Sequence, residues 1–294
     1  MSDRNFALMA GVNTVAATPA DQSNKNIPVN LARGFPRLHQ MPEFQRVKGP
    51  NAPIALVGGG PSLKETIGEL KDFRHVFACG SSHDYLVKSG IIPEYCAACD
   101  PDPVMASYLK TPSTETKYLI SSHCDDAVFK ALEGMSIALW HCAPIDKDFL
   151  DEVDPGWHIV GGGCTVGLRA LSIAIVLGYE NIHFFGFDTC LGEKDAHHAY
   201  EFETAEEEVG KTYDVKVGYC GEGPAEDAKV FRCAGYHLGQ AAHFKEFISM
   251  YGGMFTPTFH GGGLLRAIWE MTKTKSEKFE ELRRIALESG GPPV

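Results

Sequence analysis

An α/β fold, with a mostly parallel sheet and helices on both faces, is what this sequence predicts, and three observations carry the prediction. Short continuous apolar runs recur at Ile54 to Val57, Val76 to Cys79, Tyr95 to Cys99, Tyr118 to Ser121, Ile137 to Trp140 and Ile182 to Phe187. Strands buried on both faces read this way, because neither face meets water. Segments of helix-forming composition separate several of the runs, as crossovers between parallel strands require. Glycine turns then lead into helical segments at Gly58 to Gly60, Gly161 to Gly163 and Gly261 to Gly263.

Composition bounds the rest. With 294 residues, 44% of them hydrophobic, the chain can bury a sizeable core. No run approaches the roughly 18 apolar residues of a membrane span, and Met1 to Ala10 has no basic region followed by an apolar stretch, so a soluble cytoplasmic protein is expected. Nine cysteines, an odd number without an export signal, read as reduced thiols. Cys96 and Cys99 form a lone C-x-x-C inside an apolar run, without the second pair that a zinc site needs. A net charge of −11 argues against a broad duplex-binding face.

Residues 1–50 lack sustained periodicity and read as an N-terminal arm, extended or partly ordered. Arg33, Arg37, Arg46 and Lys48 make its second half basic, either to cover an anionic ligand or, as the favoured expectation, to face solvent. Residues 51–274 form the main domain. Its first strand ends in Gly58, Gly59, Gly60 and Pro61, and Ser62 with Glu65 makes a capping box for a helix running to Leu70. Glycines allow close backbone approach to a ligand, and a helix N-terminus favours phosphate. Gly58 to Ser62 is therefore read as a nucleotide-phosphate loop. Leu63 occupies the place of the last glycine of G-x-G-x-x-G, and no Gly-Lys-Ser/Thr follows, so neither standard fingerprint is met.

The second strand ends at Gly80, Ser81 and Ser82, with a helix from His83 to Lys88 stopped by Gly90. The third ends at Asp100, Pro101, Asp102 and Pro103. Carboxylates at the C-terminal end of a strand sit where open α/β sheets bind ligands, which favours Asp100 as a ribose or metal-phosphate contact; Asp-Pro pairs are also ordinary turn formers. His123 and His141 follow the next two strands, around a helix from Asp125 to Leu132, and each is a phosphate contact or proton donor if not structural. Asp146 to Trp157 reads as an acidic connection. Gly161, Gly162, Gly163, Cys164 and Thr165 then open an apolar helix, Val166 to Leu177, closed by Gly178. Arg169 within it either reaches an anion or pairs with an acid.

Ile182 to Phe187 ends at Asp188, a candidate for binding or general-base work, with a turn cap as the plain alternative. His197 and His198 lie beyond it at a spacing that does not identify a metal site. Glu201 to Glu208 reads as a solvated segment, Val209 to Tyr219 as a hairpin region, and Phe231 to Tyr251 as a strand end and a long helix. Met254 to Thr258 is the last strand. His260 and Gly261 to Gly263 precede a helix from Leu264 to Lys273, and this third glycine turn is expected to close the same cleft. Residues 275–294 form a charged helical tail.

The run Val57, Gly58, Gly59, Gly60, Pro61, Ser62, Leu63, then Gly90 to Glu94 leading to Asp100 and Pro101, then the glycine turn and helix up to Leu177, Gly178 and Tyr179, then Ile182 to Asp188, resembles one superfamily. It joins archaeal-type, MptE-like 6-hydroxymethylpterin diphosphokinases to bacterial motility-accessory-factor glycosyltransferases, with a more distant likeness to bacterial sialyltransferases. The resemblance covers about Pro53 to Ala267. It implies a Rossmann-like fold and a nucleotide-dependent transferase. In the glycosyltransferase branch the donor is a nucleotide-activated sugar, CMP- or UDP-linked; in the diphosphokinase branch it is ATP with Mg2+ and the acceptor a pterin alcohol. The large extra regions of the flagellin-modifying enzymes have no counterpart here. The acceptor expected is a small molecule or a nucleic-acid base, as for a modifying enzyme carried by a virus.

Glycosyl transfer is placed first, diphosphate transfer second, and a nucleotide-binding module without catalysis third. The residues assigned to catalysis are Asp188, Asp100 and His197. Those assigned to the nucleotide are Gly58, Gly59, Gly60, Pro61, Ser62, Ser81, Asp100, Gly162, Gly163, Cys164, Thr165, His260 and Gly261, with the metal question left open. The partner expected is a small-molecule nucleotide donor, without a membrane, and assembly into a homo-oligomer stays open.

Overall fold

The computed structural model of the chain describes residues 20–45, 52–143, 145–200, 211–218 and 228–272. The apolar runs become strands of one sheet. After helix α1 (Ala20–Leu31) come β1 (Ile54–Val57), the short α2 (Leu63–Thr66), β2 (His75–Cys79), α3 (Ser82–Lys88), β3 (Tyr95–Ala98) and β4 (Lys117–Ser121). They are followed by α4 (Asp126–Ala131), β5 (Ser136–Cys142), α5 (Lys147–Val153), β6 (Ile159–Val160), α6 (Val166–Val176) and β7 (Asn181–Phe185). A separate antiparallel pair, β8 (Thr212–Val217) and β9 (Lys229–Ala234), leads into α7 (Gly235–Tyr251) and β10 (Thr256–His260), and residues 264–272 form the helix α8.

The eight-stranded sheet has the order β10-β7-β1-β2-β3-β4-β5-β6, and every pairing in it is parallel. Alternate residues of each strand point to opposite faces. Ile54 and Leu56 join Phe77, Tyr95 and Leu119 in a core covered by α6, α7 and α8. Ala55 and Val57 join Ala78, Cys96 and Ile120 in a second core covered by α2, α3 and α4, through Leu63, Leu86 and Val128. The sheet thus has helices on both faces, the Rossmann-like arrangement expected from the sequence. No described helix is long and apolar enough to cross a membrane.

The structure departs from the sequence reading in four places. Ser62 is already in helical conformation and makes no side-chain cap; α2 is four residues long and gives way to a 3-10 helix, Ile67–Asp72. The expected arm contains α1, which is polar and carries Pro28 in its interior. What orders it is tertiary: Ile27 is buried, and Asn30 donates to the carbonyls of Ser122 and Cys124 at 2.9 and 2.8 Å. Arg37 does not face solvent. Residues 36 and 37 lie beside β5, with Leu139 N–H donating to Pro36 O at 2.8 Å, and the Arg37 guanidinium grips Asp154 with bonds of 2.9 and 3.1 Å. His141 shares the same carboxylate at 2.9 Å and contacts Ser122 Oγ at 2.8 Å, so its role is structural. Arg33 pairs with Asp126, while Arg46 and Lys48 lie outside the described residues. The acidic connection is the fourth: it forms α5, capped by Asp146, whose carboxylate accepts from Asp148 N and Phe149 N. The readings for Glu201 to Glu208, the turn at Glu222 to Pro224 and the tail 275–294 also fall outside the described residues.

Asn30 leaves two buried carbonyls without these donors when truncated, and orphaned buried groups cost about 1–3 kcal/mol each. Asn30→Ala is expected to lower the unfolding free energy by roughly 2 kcal/mol, read from urea denaturation, with the m-value unchanged.

Candidate functional site

The strand order runs outward from β1 to β6 and then returns to β7 on the other side of β1. Such a reversal opens a crevice beyond the carboxyl ends of the two central strands, where sheets of this kind bind ligands. A cleft of about 380 Å3 lies there. Its floor is Gly58, Gly59 and Gly60 after β1 and Gly186 to Cys190 after β7. Gly80 and Ser81 after β2, Cys99 and Asp100 after β3, and Cys164 to Gly167 at the start of α6 form one side. His197, His198, Tyr236, His237 and Gln240 form the other.

The two central turns interlock through their backbones. Gly58 N–H donates to Phe185 O at 2.8 Å, Gly60 N–H to Gly186 O at 2.9 Å and Ser62 N–H to the Asp188 carboxylate at 2.9 Å. A Cβ on Gly58 would stand 2.6 Å from Gly186 O, one on Gly186 would stand 2.7 Å from Gly58 O, and one on Gly60 would strike Asp188. Gly186 also has φ of +62°, which glycine adopts without penalty. From the third glycine turn, Gly263 packs on the Asp188 backbone and Leu264 N–H donates to Asp188 O at 2.7 Å.

The glycines therefore serve a backbone-to-backbone contact, and three of the loop's N–H groups are already spent inside the protein. The expected cradle of loop N–H groups around a phosphate is not what this turn builds. Two helix N-termini border the cleft, that of α6 and that of α7, whose first turn carries Tyr236 and His237. Thr165 caps α6 by accepting from Leu168 N–H at 3.2 Å, and Val166 and Gly167, its first two helical residues, line the cleft. First-turn N–H groups have no partner within their own helix and sit at the positive end of its dipole.

Asp188 is 4% exposed. Burial raises its carboxyl above the ordinary aspartate range against the lowering effect of its bonds from Ser62. On the opposite side the segment carrying His197 to Tyr200 lies over the floor: Ala199 N–H donates to Gly59 O at 3.0 Å, and Tyr200 stacks on Tyr85 with ring centres 4.6 Å apart. His197 contacts the Tyr236 hydroxyl through Nδ1. His237 Nδ1 accepts from Ala234 N–H at 3.0 Å. Burial, aided by the charges of His197 and His198, pushes His237 down to about 4. A neutral ring with Nδ1 accepting carries its proton on Nε2, so His237 is a donor through that nitrogen.

The family model for MptE-like 6-hydroxymethylpterin diphosphokinases matches residues 24–194, a span that holds the glycine floor, Asp100, the start of α6 and Asp188. The chain belongs to the MptE-like family. Among solved structures, a MAf glycosyltransferase from Magnetospirillum magneticum AMB-1 superposes with a TM-score of 0.61 at 16% identity, over 85% of this chain and 38% of that one. The MptE-like chain therefore spans well under half of that protein, and the likeness is one of fold. A mammalian sialyltransferase in complex with Gal-beta-1-3GalNAc-ortho-nitrophenol aligns over 88% of the chain and 92% of its own at 10% identity, with a TM-score of 0.41. No curated protein sequence matches.

Of the residues singled out from the sequence, the MptE-like fold brings Gly58, Gly59, Gly60, Ser81, Asp100, Cys164, Thr165, Asp188 and His197 to one cleft. Asp100 is exposed at its edge and accepts from Asp102 N–H at 2.9 Å; Asp102 itself caps the 3-10 helix Pro103–Tyr108. Pro61 and Ser62 stand outside the wall, Ser62 holding Asp188 in place and Pro61 packing on Gly192. Gly162 and Gly163, with φ of +125° and +99°, are built against Leu168 and His243 and shape the turn without lining the cleft. Gly261 packs on Ser62. His260 lies away from the cleft: it stacks on Phe185 at 3.9 Å and bonds to His183 at 2.8 Å and Glu69 at 2.6 Å. Arg169 does not line the cleft and among the described residues has no carboxylate partner; it is buried on two carbonyls. Tyr236, His237 and Gln240 were not singled out, because the start of a helix with core residues at Phe244 and Ile248 reads as packing. Among the described residues no three His, Cys, Asp or Glu side chains converge on a metal-binding geometry.

The two central glycines differ in what a methyl group would meet. At Gly60 it strikes the fixed Asp188, whereas at Gly59 it meets side-chain atoms, the ends of Tyr200 and His198 and the Ser81 hydroxyl. Gly60→Ala is expected to cost roughly 2–3 kcal/mol of stability and Gly59→Ala less than about 1 kcal/mol, by chemical denaturation of the two variants. Equal losses would mean that the turns do not interlock as described.

Proposed function

We propose that this MptE-like chain is a nucleotide-dependent transferase that moves a sugar from a nucleotide-activated donor, CMP-linked ahead of UDP-linked, to a hydroxyl on a small molecule or nucleic-acid base. The observation that carries this reading is the charge of the cleft. Its described wall holds two aspartates and three histidines but neither lysine nor arginine. A triphosphate brings several negative charges to such a site, while a nucleoside monophosphate linked to a sugar brings one on its phosphate. The single charge matches what the helix N-termini of α6 and α7, each equivalent to roughly half an elementary charge, and imidazole donors can hold.

In this reading the phosphate lies at the start of α6, with His197 and the Nε2–H of His237 stabilising charge as the nucleotide departs. Met105 and Val166, which meet at Gly80, offer an apolar surface for the base. Asp188 takes the acceptor proton: its carboxyl, raised by burial, is a stronger base than a solvated aspartate while Ser62 keeps one oxygen in place. Asp100, at the mouth, bonds the ribose.

Family membership favours a second reading, transfer of diphosphate from ATP to an alcohol. Mg2+ is commonly held by one or two carboxylates and the phosphates themselves. Exposed Asp100 fits that part, and buried Asp188, already bonded to Ser62, fits it less well. The ion would neutralise charge developing on the phosphates.

A panel of CMP, CDP, UDP, GDP, ADP and ATP, each with and without magnesium, separates the readings by thermal shift. Ligand at a hundred times its dissociation constant adds about 2.7 kcal/mol to apparent stability. Stabilisation by CMP or UDP is expected, and selective stabilisation by magnesium-ATP would put diphosphate transfer first. For Asp188 the linkage has a definite sign. An acid whose folded-state pKa is raised favours folding below its unfolded pKa, and that contribution is lost as pH rises through that value towards the folded one. Asp188→Asn, which keeps an oxygen for Ser62 N–H, is thus expected to gain stability relative to the wild type as pH rises above about 4, while donor turnover falls by roughly a hundredfold or more. Unchanged turnover would remove Asp188 from the chemistry.

A further inference from the structure

At the carboxyl ends of β4 and β5, outside the lining of the cleft, three polar side chains meet. Cys142 Sγ lies 3.3 Å from Ser121 Oγ and 3.3 Å from His123 Nδ1, and the Ser121 hydroxyl is 3.1 Å from the same ring nitrogen. His123 N–H donates to Ser121 Oγ at 3.3 Å, which leaves the hydroxyl proton to be donated. The backbone of the group is pinned from α1, with Asn26 donating to His123 O and Asn30 to Ser122 O and Cys124 O.

Beside the group lies Arg169 of α6, 5% exposed. Its guanidinium donates to Val160 O at 3.0 Å and to Ala143 O, one residue beyond Cys142, at 2.7 Å. Among the described residues it has no carboxylate partner. An arginine does not give up its proton in a protein, and a buried charge without a counter-charge is expensive. Three thiols lie within reach of its field, those of Cys99, Cys142 and Cys164. Burial pushes the thiol of Cys142 up, but His123 and Arg169, with the bonds from His123 and Ser121, outweigh it and hold it well below the usual range. Burial wins at Cys79, Cys96 and Cys124, whose thiols are raised, and Cys99 is pushed up to about 12.

We propose that Cys142 is a thiolate, the counter-ion of buried Arg169, and that this makes it a modification site for small peroxides. Two donors, His123 Nδ1–H and Ser121 Oγ–H, point at the sulfur in this state. The groups facing it are His123 and Ser121 from the end of β4, Arg169 from α6, and the thiols of Cys99 and Cys124. The thiolate attacks one oxygen of hydrogen peroxide: an S–O bond forms, the O–O bond breaks, and the hydroxide released takes a proton from solvent and leaves as water. The sulfur is oxidised by two electrons to a sulfenic acid and the peroxide is reduced. Cys142 keeps 8% of its surface accessible, which favours a reagent of about the size of water over bulky ones.

Thiolate absorbance at 240 nm reads the charge state without reagent access. Titrating the full chain and Cys142→Ser between about pH 4 and pH 8, below the ordinary thiol range, is expected to show a step of one thiolate in the wild type that the variant lacks. Coincident curves would overturn the proposal. Should the serine variant fail to fold, the wild type alone decides. Hydrogen peroxide with dimedone, followed by peptide mass spectrometry, is expected to label Cys142 ahead of the other cysteines, and His123→Gln to slow that labelling by roughly tenfold. An aromatic disulfide should instead react first at exposed Cys164. Peroxide labelling led by Cys164 or Cys190 would sink the assignment.

Discussion

The fold depends on a contact in which two polypeptide backbones approach without side chains between them. Gly58 and Gly60 meet Gly186, and the hydrogen bonds from Gly58 to Phe185 and from Gly60 to Gly186 carry the pairing of β1 with β7 past the ends of both strands. Any Cβ at these places would drive the strand ends apart, and those ends are where the chain reverses direction across the sheet. The contact therefore fixes the seam along which the cleft opens. It also explains why Asp188 can be buried at all, since its carboxylate takes a hydrogen bond from Ser62 and its backbone is held by Leu264.

Charge is handled differently in three parts of the molecule. At the edge of the sheet Arg37 and Asp154 form a bidentate pair with His141 on the same carboxylate, which anchors the polypeptide ahead of β1. In the cleft, burial raises the carboxyl of Asp188 and lowers the imidazole of His237, so both are displaced towards their neutral forms. Groups so displaced exchange protons with less cost than fully charged ones do. Beneath α6 the cation Arg169 is bonded to carbonyls, whose dipoles orient it without cancelling it.

Much of the sheet was legible because a buried parallel strand has a simple signature. Each of the six apolar runs forms a strand, with bounds that shift by one or two residues. The helix α1 was not legible: it contains a proline and is mostly polar, and the contacts of Ile27 and Asn30 that order it join segments far apart in the chain. The glycines were legible as a special turn, but their physical reason was not. A phosphate and a neighbouring carbonyl both ask for a residue without a side chain, and only the partner strand distinguishes them. His237 was hidden for a related reason. It falls seven residues before Phe244 on the inner face of α7, and a helix face says nothing about which of its members meets a cavity instead of a core.

The span shared with the MptE-like family stops at residue 194, just before His197, His198, Tyr236 and His237. The floor and the far wall of the cleft thus come from separate lengths of chain, the first built into the sheet and the second laid across it. The Gly59 carbonyl receives the Ala199 amide as its main-chain tie between them. The Ala199 tie uses backbone atoms alone, and His198 Nδ1 adds a side-chain contact to the same carbonyl at 3.3 Å. Such a division between floor and wall lets the overlying length of chain vary while the glycine seam beneath it stays intact.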